Sequence, residues 1–85
     1  MKIYFKHDAD LGLMVGTAYF EFEDEWPTRQ VEVYGEKWLC SNKEYHPGVG
    51  PGLADQPLSF FEFKKEHEIN KTEFELIWAE AIKRS

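Results

Sequence analysis

The chain is poor in cysteine, in long apolar runs and in positive charge, and each shortage removes a class of protein. A single cysteine among 85 residues, Cys40, cannot close an internal disulfide. The expected setting is a reducing compartment, away from small secreted disulfide scaffolds. No apolar stretch approaches the roughly 18 residues of a membrane-spanning helix. The opening MKIYFKHDAD turns charged after five residues, without an apolar core of signal-peptide length. A soluble, cytoplasmic protein without membrane contact is expected. Ten Lys and Arg against sixteen Asp and Glu leave a formal charge of −6. Such a surface repels phosphate backbones and excludes a general nucleic-acid binder.

Proline and glycine are scarce outside one stretch. Three of the four prolines and three of the six glycines fall within 41–57, SNKEYHPGVGPGLADQP. A seventeen-residue connection without periodicity is longer than compact domains usually carry unless it serves a function or moves. Its GVGPG run lacks what a phosphate cradle needs, since Pro51 interrupts it and no Lys-Ser/Thr pair follows.

What the chain does have is aromatic residues, 16% of its length, with 42% hydrophobic overall. That excludes disorder of the whole. A chain this short buries only roughly 60–65% of its unfolded surface, so large side chains must build its core. One domain spanning 1–85 is expected.

The best-specified element is 69–84, INKTEFELIWAEAIKR. Asn70 is a natural N-cap with Glu73 completing a capping box, and Ile69 and Phe74 are spaced as a hydrophobic staple. Phe74, Ile77, Trp78, Ala81 and Ile82 repeat at i, i+3, i+4, i+7, i+8, one helical stripe that must cover a sheet. Lys83 and Arg84 sit where the helix dipole favours cations.

Ahead of it the period is two. KIYFK (2–6) reads as a strand, 7–10 as a polar turn, and 11–15 as strand, bulge or loop. TAYFEFE (17–23) alternates Ala18, Phe20 and Phe22 against Tyr19, Glu21 and Glu23, one face buried and one wet. Pro27 belongs in a turn or bulge. RQVEVY (29–34) points Val31 and Val33 inward and Glu32 outward, Gly35-Glu36 is a tight turn, and KWLC (37–40) returns. LSFFEFK (58–64) reads as one more strand, closing the sheet. The expected class is α+β: an antiparallel sheet of about four or five strands under one C-terminal helix.

Residues for chemistry are few. Cys40 with His46 or His67 lacks any nucleophile motif around it, and His7, Asp8 and Asp10 share a turn with no partner at metal-site spacing. No catalytic residue, metal site or cofactor is expected. Glu21, Glu23, Asp24 and Glu25 beside Trp26 form the feature of greatest interest. They can be a charged strand end that blocks edge pairing, or a docking patch for a basic partner with Trp26 as its aromatic anchor. Trp38 and Tyr45 can extend the patch, although a strand Trp is more often core.

EFEDEWPTRQVEVYGEKW together with INKTEFELIWAEA resembles a family of small bacterial domains of unknown function. The matching positions are Arg29, Val31, Glu32, Val33, Tyr34 and Gly35, then Ile69, Glu73, Phe74, Glu75 and Trp78, over about half the chain. The resemblance carries no activity with it. Some small acidic bacterial domains of this general kind are immunity proteins, which neutralise a cationic toxin by covering its site, an analogy of fold and charge.

The leading expectation is therefore a non-enzymatic, acidic protein-binding module, an immunity-type inhibitor or accessory subunit, that docks a basic protein partner. A second is a small-ligand or enzymatic domain with a pocket under the 41–57 loop, using Cys40, Tyr45 and His46. A third is a homodimer formed through the 58–64 strand as a sheet edge.

Overall fold

The computed structural model describes residues 1–42 and 56–84. Its framework is a five-stranded antiparallel sheet: β1 (Lys2–Leu11), β2 (Met14–Glu23), β3 (Trp26–Tyr34), β4 (Lys37–Asn42) and the two-residue β5 (Glu68–Ile69). Their order across the sheet is β4-β3-β2-β1-β5. One main helix, α2 (Lys71–Arg84), ends the chain, and a single turn of helix, α1 (Leu58–Phe61), precedes it. The fold is α+β, as the alternation and the closing helix required.

The first hairpin is longer than the polar 7–10 segment suggested. His7–Asp10 stay in register with Val15–Ala18, and the chain turns only at Gly12, whose φ of 65° suits glycine. Pro27 sits where the β2–β3 ladder slips: Phe22 pairs with Pro27 and Glu21 with Arg29, so Thr28 is the extra residue of a bulge. The next turn uses Gly35 at φ 64°.

Both faces of the sheet are covered, contrary to the expectation of one wet face. On one side α2 lays Ile77, Trp78 and buried Ala81 against Val31 and Cys40, with Tyr19, Val33 and Trp38 packed around them. Phe74, also buried, meets Tyr4 at 5.1 Å between ring centroids. Asn70 caps this helix by accepting the Glu73 N–H at 2.8 Å. Ile82 departs from the expected stripe and is exposed.

The opposite face carries Phe5, Ala18, Phe20 and Phe22, closed by Leu58, Phe61 and Phe63. Here 58–64 is not the expected strand. A strand would send neighbouring aromatics to opposite faces. Coiling through α1 and a left-handed Glu62 (φ 53°) instead brings Leu58, Phe61 and Phe63 onto one surface, with Phe61 and Phe63 stacked at 5.4 Å. The fifth strand is instead β5, paired with β1, and an edge-strand dimer through 58–64 has no strand to use.

Candidate functional site

Glu21 is the sharpest departure from the acidic-patch expectation. Strand alternation puts it under α2, where only 2% of it is exposed. Arg29, its cross-strand neighbour, reaches it with Nε to Oε1 at 2.8 Å and Nη2 to Oε2 at 2.6 Å. The same guanidinium forks to Glu75 of α2, with both contacts at 2.9 Å, and lies over the Phe74 and Trp78 rings. Thr28, freed by the bulge, donates its hydroxyl to Glu21 Oε1 at 2.7 Å. Burial pushes the Glu21 carboxyl up, but hydrogen bonds from Arg29 and Thr28 and the Arg29 charge outweigh it and hold the group at about 2. Glu75 is likewise lowered, first by its Arg29 hydrogen bond. The buried Tyr4 hydroxyl is raised by burial first and then by Glu21, and it closes no hydrogen bond of ordinary geometry. Glu21 therefore fastens α2 to the sheet and is out of reach of a partner.

The rest of the acidic cluster is at the surface. Glu23, Asp24 and Glu25 form the exposed β2–β3 turn, with Asp24 at φ 57° and its carboxylate 3.2 Å from the Met1 amine. Trp26 beside them is 53% exposed. Two backbone hydrogen bonds gather further apolar surface there: Asp24 N–H to Met1 O at 2.9 Å, and Leu58 N–H to the Glu25 carbonyl at 2.7 Å. The second anchors α1, whose Phe60 is 64% exposed. Met1, Trp26 and Phe60 are thus each exposed on segments whose backbone meets at the turn that carries the three carboxylates.

Trp38 belongs elsewhere. It is half-buried on the α2 face, with the Arg84 guanidinium 4.7 Å over its ring. Tyr45 and His46 lie outside the described residues. Cys40 is buried beneath α2, and burial pushes its thiol up. Among the described residues, no three His, Cys, Asp or Glu are grouped to hold a metal, and no helix is long and apolar enough to cross a membrane.

A second place brings His7, Asp8 and Asp10, which the sequence offered only as metal ligands, together with residues of β3. A cavity of about 310 Å³ opens on the aromatic face, lined by His7, Asp8, Asp10, Gln30, Glu32 and rings that include Phe61 and Phe63. Glu32, expected to point outward into water, is 5% exposed. Its Oε1 accepts the Tyr34 hydroxyl at 2.5 Å and its Oε2 the Gln30 amide at 3.0 Å. Burial, then the Glu32 hydrogen bond and charge, raise Tyr34 well above the usual phenol range, so it remains a donor. The signal was present as the alternation of Gln30, Glu32 and Tyr34, a polar series on the strand opposite Ala18 and Phe20.

No protein-family model matches the chain, and no curated protein matches it in sequence.

Proposed function

We propose that the protein is a non-enzymatic binding module of immunity type, docking a basic protein partner through the β2–β3 end of the sheet. The observation that supports it is the joining of three exposed carboxylates, Glu23, Asp24 and Glu25, to an exposed apolar set of Met1, Trp26 and Phe60. Aromatic anchors beside one sign of charge suit a partner surface of the opposite sign. The charge speeds encounter, and the apolar centre supplies affinity. Glu21, occupied by Arg29, takes no part. The net charge of −6 acts in the same direction at longer range.

The test is capture from a lysate of the source cells, comparing the native chain with Glu23→Lys/Glu25→Lys/Trp26→Ala. Asp24 is kept because its backbone conformation and its contact with Met1 hold the turn. The captured protein is then purified and titrated in rising salt. A basic protein whose binding weakens with salt and is lost in the variant supports the reading. Equal capture by both forms, or capture of an acidic protein, refutes it.

A further inference from the structure

The cavity on the aromatic face is chemically distinct from the docking end. Its deepest charge is Glu32, buried, held by two neutral donors and met by no cationic side chain among the described residues. A carboxylate removed from water without a countercharge is costly, and hydrogen bonds from a phenol and an amide offset only part of that cost. Arg29, three residues earlier on the same strand, points to the other face and is committed to Glu21 and Glu75. Asp8, Asp10 and His7 are also lining residues, and no Lys or Arg is among the described ones. The walls are aromatic: Phe20, Phe61 and Phe63, with Phe20 5.5 Å from each of the other two rings.

A recessed carboxylate, acidic rim and aromatic walls are the recognition chemistry of an organic cation. We propose that this cavity binds a small amine or guanidinium bearing an apolar body. The charged head meets Glu32 and the body packs against Phe61 and Phe63. The size fits such a ligand, since about 310 Å³ is room for about ten waters. The site does not depend on the docking end, so charge reversal at Glu23 and Glu25 leaves it intact.

The experiment titrates the full chain with phenethylammonium and phenylguanidinium, then with the neutral and anionic counterparts phenethyl alcohol and phenylacetate. Calorimetry gives affinity, and amide NMR locates the site. Expected is saturable binding of a cation with a Kd below about 1 mM, shifts at the Gln30 side-chain amide, and binding of the alcohol weaker by roughly tenfold or more. Glu32→Gln weakens the cation by a similar factor. Because Glu32→Gln also disturbs Tyr34 and Gln30, the rim change Asp10→Asn is run beside it and weakens the cation roughly threefold while leaving both hydrogen bonds to Glu32 in place. Equal affinity for alcohol and cation, shifts that map away from the cavity, or no saturation by either cation at about 10 mM overturns the proposal.

Discussion

Replacing Arg29 with Met should destabilise the protein more than almost any other single change. Arg29 is 19% exposed at its side chain and Glu21 2%, so removing the cation strands a carboxylate inside the helix–sheet interface. Breaking a buried pair of this kind costs about 3–5 kcal/mol. The lost contacts with Phe74 and Trp78 add about 1 kcal/mol, while the half-exposed Glu75 fork adds under about 1 kcal/mol. A chain of this length has about 4–13 kcal/mol of stability in all, so Arg29→Met should be close to unfolding at room temperature. In a thermal scan the loss corresponds to about 20–40 °C in Tm. Urea unfolding followed by tryptophan fluorescence measures it, since Trp78 lies beneath the guanidinium. The companion Glu21→Leu/Arg29→Met should recover most of the loss, because an apolar pair leaves no stranded charge. A cost below about 1 kcal/mol for Arg29→Met, or no recovery in the double variant, refutes the reasoning.

Four further outcomes follow from the same structure. Acid should loosen the fold between about pH 4.5 and about 2. The Glu21 carboxyl takes its proton near 4.5 when unfolded but near 2 when folded. Stability present above the first value is lost as pH falls toward the second, about 3 kcal/mol in all; a pH series of urea midpoints reads it, and Glu21→Gln should flatten the slope. Gly16→Ala should cost about 1–3 kcal/mol, because the added Cβ would lie 1.9 Å from the Val33 carbonyl oxygen; chemical denaturation tests it. Phe22→Ala, at a fully buried ring, should cost about 3–5 kcal/mol, whereas Phe60→Ala, exposed, should stay within about 0.5 kcal/mol. Cys40 should resist a thiol reagent in the folded protein and react at once on unfolding, since burial raises its thiol.

How much of this was legible in the sequence depends on the element. The C-terminal helix was, because cap, charge and all of the stripe but Ile82 agree, and Asn70 does accept the Glu73 N–H. The strands were too, and Pro27 fell at the bulge that its missing donor demands. What period two could not reveal is that both faces are covered. Alternation separates residues into two sets without saying what lies above each, so Glu21 and Glu32 read as wet. Glu21 is buried because Arg29 sits directly opposite it in the register and Glu75 comes down from α2. Only tertiary pairing supplies that information. The 58–64 segment misled for a related reason: aromatic density favours a strand, but Leu58 joins Phe61 and Phe63 on one surface only if the chain coils and then turns at Glu62. At the proposed docking end, the acidic turn and Trp26 were legible, whereas Met1 and Leu58 reach the turn through backbone hydrogen bonds that no local pattern announces.

The most direct test of the docking account is a matched charge-reversal comparison. Glu23→Lys/Glu25→Lys and Glu36→Lys/Glu66→Lys change the net charge equally, the first at the β2–β3 turn and the second at exposed positions outside it. Affinity for the captured basic partner is measured for both at one ionic strength. The account predicts that the first pair weakens binding by roughly a hundredfold or more, about 3 kcal/mol, and that the second changes it by less than about threefold. Equal losses from both pairs would contradict it, because net charge alone and not the β2–β3 surface would then govern association.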